Sequence, residues 1–227
     1  MPGRTGRLLH GKLYRALCLN DARIFEKQRP GDQSRVSVDL LLDASTSQEE
    51  RTELVARQAY ILAESLSALK LPVRVWGYLS MSGYTVLTRY RDYEEHEKNE
   101  EIFRYFTAGA NRDGLAYRAV GELMAEYPSE RKILIVLSDV TPNDMVKFLY
   151  QGQEQAYAGE GAIENAAKEV RAVCASGVTA LCVYTGDDAG LPAVQRVFGQ
   201  NFVKINSLTR FAAAAGRLLE LALSNPA

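Results

Sequence analysis

Val36-Ser37-Val38-Asp39-Leu40-Leu41-Leu42-Asp43-Ala44-Ser45-Thr46-Ser47 is the stretch that decides the fold of this 227-residue chain. Its apolar run is bounded by polar residues and reads as a fully buried strand of the kind found inside a parallel sheet. The run then stops at a carboxylate and two hydroxyls within five residues, Asp43, Ser45 and Ser47. Open α/β sheets bind ligands at the carboxyl ends of their strands, where strand order reverses. Three hard oxygen donors there, with no His or Cys beside them, suit a hard divalent cation such as Mg²⁺ or Mn²⁺. A plainer reading competes: Ser47-Gln48-Glu49-Glu50 also fits a capping box at a helix start. Asp39 falls inside the strand, and the sequence names no partner for its charge.

Working outward, residues 1–35 read as an N-terminal arm, with mixed periodicity over Leu13–Phe25 and a turn at Arg29-Pro30-Gly31-Asp32. The domain is expected over 36–225. Glu49–Leu69 carries a broad apolar helical face, Pro72 ends it, and Val73–Leu79 is a second strand. Ser82-Gly83 turns the chain into Tyr84–Tyr90, an expected antiparallel edge strand. The charged run Arg91–Glu101 reads as a solvated loop leading to a short helix near Ile102–Phe106. A helix over Leu115–Tyr127 precedes the clearest buried strand, Ile133–Leu137, which ends in Ser138-Asp139. Met145–Gly161 shows little periodicity; a patternless stretch of that length is often functional, and it lies beside the expected site. A helix over Ala162–Ala175, a strand at Val178–Tyr184, a helix over Leu191–Phe198, a strand at Phe202–Ile205 and a closing helix over Leu208–Leu223 complete the pattern. Strands alternating with helices predict an α/β fold, a doubly wound, mostly parallel six-stranded sheet with one antiparallel edge strand.

Composition excludes several classes of function. A net charge of −1 leaves no basic footprint for nucleic acid. No apolar run approaches the roughly 20 residues of a membrane span. The basic N-terminus lacks a long apolar core and a small-residue cleavage site, so no signal peptide is expected. Three scattered cysteines, with Cys182 inside a strand pattern, fit free thiols in a reducing cytoplasm.

Two further loops carry carboxylates: Asp113 opens a helix, where capping is the default role, and Asp139 ends a strand, where a turn role is the default. Adjacent central strands would bring Asp139 to Asp43. Asp43, Ser45, Ser47, Asp113 and Asp139 together are oxygen donors with no positive charge among them, and such a cluster is strained without a cation. Asp43-x-Ser45-x-Ser47 resembles the DxSxS motif of the von Willebrand factor A (VWA) domain and its metal-ion-dependent adhesion site. Asn111-Arg112-Asp113-Gly114 stands where many A domains have a Thr, and with Leu137-Ser138-Asp139-x-Thr141-Pro142-Asn143-Asp144 it resembles the NorD and CobT group. The similarity covers about residues 36–223. It departs from the family pattern at Val140, where a Gly is usual, at Asp113, which adds charge, and in length. The resemblance implies a Mg²⁺ (or Mn²⁺) site and a non-enzymatic adaptor whose protein partner is a MoxR-type AAA+ ATPase. It also implies that a partner carboxylate completes the cation's shell. The rival is a metal-dependent hydrolase or phosphatase-like enzyme, against which stand only two histidines, His10 and His96, and no His beside Ser45 or Ser47. A third reading is a structural A domain with a vestigial site.

Overall fold

The computed structural model describes residues 36–204 and, outside them, only the backbone of three two-residue strands, Pro2–Gly3, Arg7–Leu8 and Phe25–Glu26, which form a small antiparallel ladder. Most of the expected arm, its pattern at Leu13–Phe25 and the closing helix Leu208–Leu223 lie outside the described residues. Along the chain the main elements are β1 (Val36–Asp43), α1 (Thr52–Ala68), β2 (Val73–Met81), β3 (Tyr84–Arg91), α2 (Asp113–Ala125), β4 (Arg131–Ser138), β5 (Asn143–Tyr150), β6 (Gln153–Ala158), α3 (Gly159–Ala175), β7 (Val178–Tyr184), α4 (Leu191–Phe198) and β8 (Phe202–Lys204).

Six strands form one sheet in the order β8-β7-β4-β1-β2-β3, parallel throughout except for the β2–β3 hairpin at one edge. All eight residues of β1 are buried, as its unbroken apolar run requires of a central strand. Side chains alternate across it. Val38, Leu40 and Leu42 pack with Val55, Ala59, Leu62 and Leu66 of α1. On the other face Leu41 joins Trp76, Val136 and Cys182 beneath α2, α3 and α4. The chain leaves β1 toward β2 on one side and later returns to β4 on the other, so strand order reverses between β1 and β4. Their carboxyl ends frame the crevice where such folds bind ligands.

Three segments differ from expectation. The helix after β1 begins as a 3-10 turn over Thr46–Arg51, with Gln48 N–H donating to the Ser45 carbonyl at 3.0 Å. The tighter i→i+3 geometry keeps Ser45 and Ser47 at the strand end, and no side-chain cap forms there. The charged run after β3 is anchored rather than fully solvated. Arg91 is completely buried and donates to Ser67 Oγ at 2.8 Å and Asn99 Oδ1 at 2.5 Å, while Tyr93 and Asn99 are buried as well. Met145–Gly161, which looked patternless, is the β5–β6 hairpin running into α3. Its turn places Gln151 and Gly152 at φ 49° and 80°, the same left-handed pair that Ser82 and Gly83 adopt at 51° and 84°. Gln-Gly is a weaker turn signal than Asn-Gly, and the flanking residues are not β-branched, so the hairpin does not announce itself.

Candidate functional site

Asp43 is the last residue of β1 and is wholly buried. Its Oδ1 accepts the Ser45 N–H at 3.0 Å, which folds the chain back so that the Ser45 and Ser47 hydroxyls lie 3.0 Å apart. Its Oδ2 accepts from Ser138 Oγ at 2.8 Å and more loosely from Asn111 Nδ2 at 3.4 Å. Tyr105 donates its hydroxyl to the Asp43 carbonyl. This first loop is stitched to a second, because Ala108 N–H donates to Ala44 O at 2.8 Å and Thr46 Oγ1 to Gly109 O at 2.8 Å. Gly109 has φ +64°, and a side chain there would begin 2.5 Å from the Ser80 carbonyl oxygen, so only glycine lets the loop pass so close to β2.

The second loop delivers Asp113, also fully buried. It stands one residue inside α2, and the helix has no side-chain cap, so the default capping role is not the one it fills. Its Oδ1 accepts from Tyr78 Oη at 2.9 Å and Asn111 Nδ2 at 2.8 Å, while Oδ2 is buried with no donor at all. Asp139 follows β4, and its Oδ1 accepts Thr141 N–H at 3.2 Å. Arg51 Nη1 lies 4.0 Å from Asp139 Oδ2 and is more than a third exposed, a weak counter-charge. The three carboxylates and two hydroxyls expected from the sequence thus gather at one end of the sheet, around the β1–β4 crevice. Ser45 is buried there and Ser47 exposed to solvent.

Like charge and burial act together on these groups. Burial first, then the Asp139 charge, pushes the Asp43 carboxyl up to about 6. Burial and Asp43 push Asp113 well above the usual carboxylate range, and burial raises Asp139, against the pull of the Ser47 hydroxyl. A buried carboxylate oxygen without a donor is costly, and either a proton or a cation relieves it. Among the described residues no group of three or more His, Cys, Asp or Glu side chains is gathered tightly enough to hold a metal ion by itself. A cation seated here would therefore need the serine hydroxyls and water as well. That is a donor set Mg²⁺ accepts, since it keeps several waters and takes few carboxylates.

The residues on neighbouring strands that hold these carboxylates carry no local signal in the sequence. Tyr78 stands directly across from Asp43 in the β1–β2 register, and Ser138 is on the same face at the end of β4. The pairing of strands that carries them together was the missing information. His96, the described histidine, lies against Arg91 Nη2 at 3.3 Å in the charged loop and takes no part in the cluster.

Neither a family model nor a curated protein matches the chain. Solved structures do. The vWF domain of the type V pili tip protein Mfa5 from Porphyromonas gingivalis is 12% identical, with a TM-score of 0.63 over 87% of this chain and 99% of that one. The pilus adhesin SpaC from Lactobacillus rhamnosus GG is 15% identical, with a TM-score of 0.61 over 88% of this chain and 31% of the adhesin. The PilB minor pilin from Streptococcus sanguinis is 13% identical, with a TM-score of 0.61 over 88% and 63%. This chain spans about a third of the adhesin and under two-thirds of the pilin. At such identities the likeness establishes the fold alone, which is VWA-like.

Proposed function

We propose that this chain is a non-enzymatic protein-interaction domain whose contact depends on a divalent cation, Mg²⁺ or Mn²⁺. The observation that carries this reading is the buried Asp113 Oδ2, a carboxylate oxygen without a donor beside Asp43, Asp139 and the Ser45–Ser47 hydroxyl pair. Ser45, Ser47 and one carboxylate would hold the ion, with the remaining carboxylates acting through water. The bound ion supplies a positive centre that an acidic side chain of a partner protein can reach. The β5–β6 hairpin, with Met145 and Leu149 86% and 70% exposed, is the candidate contact surface beside it. The similarity of the 111–116 and 137–144 segments to the NorD and CobT group points to a MoxR-type AAA+ ATPase as that partner. Free Cys174 and buried free Cys182 are compatible with a reducing, cytoplasmic setting, and no helix among the described residues is long and apolar enough to cross a membrane. A hydrolase that used Ser45 or Ser47 would need a base to activate it; the two hydroxyls lie against each other and against Asp43 and Asp139, and His96 stands apart against Arg91.

Calorimetric titration of Mg²⁺ and Mn²⁺ into metal-stripped protein tests the reading. One saturable site is expected, lost in Asp43→Ala and in Asp139→Ala. Wild-type protein that binds neither ion at millimolar concentration would overturn the metal dependence.

A further inference from the structure

Adjacent residues of the second loop hold adjacent residues at the start of the β5–β6 hairpin. Asn111 and Asn143 exchange backbone hydrogen bonds at 2.9 and 3.1 Å, and Arg112 Nε donates to Asp144 Oδ2 at 2.9 Å with both groups largely buried. A third tie runs from Gly114 N–H to Tyr157 Oη of β6 at 3.2 Å. The Asn111 side chain does more than brace the loop. Its Nδ2 donates to Asp113 Oδ1 at 2.8 Å and to Asp43 Oδ2 at 3.4 Å, while its Oδ1 accepts the Asn143 N–H at 2.9 Å. One planar amide therefore has the cation site on its donor end and the first residue of the hairpin on its acceptor end. Asn111 is 2% exposed, so it has no water to turn to when either end changes.

We propose that Asn111 is a positioning residue that couples occupancy of the cation site to the placement of the Asn143–Ala158 hairpin. This rests on the cation reading above and adds to it. A cation that takes the open Asp113 Oδ2 draws that carboxylate toward it, and Oδ1 of the same carboxylate is what the Asn111 amide holds. The amide must shift or lose a donor contact, and its rigid plane passes that change to Asn143. The inner side of the hairpin cannot absorb the change locally, because Phe148 and Tyr157 stack edge to face at 5.0 Å against the start of α3. The hairpin moves as a unit, carrying Met145 and Leu149 on its exposed face.

Hydrogen exchange across residues 143–158, with and without saturating Mn²⁺, tests the coupling on the full chain. In wild-type protein several-fold changes in exchange are expected in the hairpin on Mn²⁺ addition. Asn111→Ala should still bind Mn²⁺, about tenfold more weakly, with a hairpin whose exchange no longer responds. Arg112→Met touches none of the candidate ligands; it should bind Mn²⁺ as wild type does and respond less, which guards against misfolding of the first variant. Saturable Mn²⁺ binding with an unchanged wild-type hairpin overturns the coupling and leaves the cation site standing, and so does an Asn111→Ala hairpin that responds in full. A wild-type protein that binds no Mn²⁺ sinks both.

Discussion

Asp39 and Asp43 lie four residues apart on the same strand and the same face, and neither exposes any surface. Their surroundings are opposite. Asp39 Oδ1 accepts from Arg74 Nε at 2.7 Å and Trp76 Nε1 at 2.9 Å, and Oδ2 accepts the Tyr93 hydroxyl. The Arg74 guanidinium is itself held over the Tyr93 ring at 4.4 Å and the Trp76 ring at 5.0 Å. Burial still raises the Asp39 pKa, but the Arg74 charge and the donors of Tyr93, Arg74 and Trp76 pull against it. Asp43 has only neutral donors, and the nearest charges are other carboxylates. One acid arrives with its counter-charge built in. The other has only neutral donors and like charge around it. Placing the two environments on one strand separates what burial alone does to a carboxylate from what a site does.

The largest effect expected is on the compensated side. Asp39→Ala leaves Arg74 buried without its partner and should cost about 3–5 kcal/mol of folding stability. Urea unfolding checks it, and Mn²⁺ affinity measured on any folded fraction should stay within a fewfold of wild type. A loss under 1 kcal/mol would mean that the Arg74 cluster relaxes into water and that the two acids are less different than their contacts imply.

The opposite sign is expected at Asp43 without metal. Its folded pKa of about 6 stands above the ordinary 3.8, so the folded state holds the proton more tightly than the unfolded chain does. That contribution is fully present below 3.8 and is lost as pH rises through about 6, leaving a penalty on the order of 3 kcal/mol at neutral pH. Asp43→Asn removes the titration and should be more stable than wild type at pH 7 by up to about that amount, with the advantage shrinking toward pH 4. Unfolding curves of the two proteins at matched pH decide it; a wild type that stays ahead at pH 7 in metal-free buffer would contradict the uncompensated reading. Adding Mg²⁺ at about 100 times its dissociation constant should then return roughly 2.7 kcal/mol to wild type and nothing to Asp43→Asn.

The two acids also differed in how far the sequence revealed them. Asp43 was legible because its spacing to Ser45 and Ser47 is local, and the end of an apolar run marks where the chain leaves the sheet. Asp39 was not, because its partners are 35 to 54 residues away and reach it only through the β1–β2 register and the loop after β3. The six-stranded, mostly parallel sheet could be read from alternation and length, since the buried strands are runs of Val, Ile and Leu, while the order of its strands could not. The β5–β6 hairpin was missed for the reverse reason: it packs one face on α3 and leaves Met145 and Leu149 in solvent, so its pattern is neither apolar throughout nor alternating cleanly. Asn111 stands in a recognisable motif, yet its role needs two carboxylates and a backbone N–H that only the fold assembles.

Backbone strain supplies the smallest contrast between the regions. No member of the Asp39 cluster has a positive φ, whereas the residue after Asp139 is Val140 at φ +52°, a left-handed conformation that β-branched side chains avoid. Such a residue costs about 1–2 kcal/mol. Val140 is nonetheless 1% exposed, packed into the core beneath α2 and α3, where a buried Val contributes about 1.5–3 kcal/mol. Val140→Gly relieves the strain, forfeits that burial and adds about 0.5–1 kcal/mol of chain entropy to the unfolded state. The balance is a net loss of about 1 kcal/mol, small because two larger quantities oppose each other. Val140→Ala separates them, since it loses the methyl groups while keeping much of the strain. At an ordinary φ, Gly is the worse of the two by 0.5–1 kcal/mol; here Gly should equal or better Ala. Thermal melts of the pair measure the difference directly, and a glycine variant clearly below the alanine one would show that the loop beside the carboxylates is not strained, leaving uncompensated charge as the sole way in which it departs from the region around Asp39.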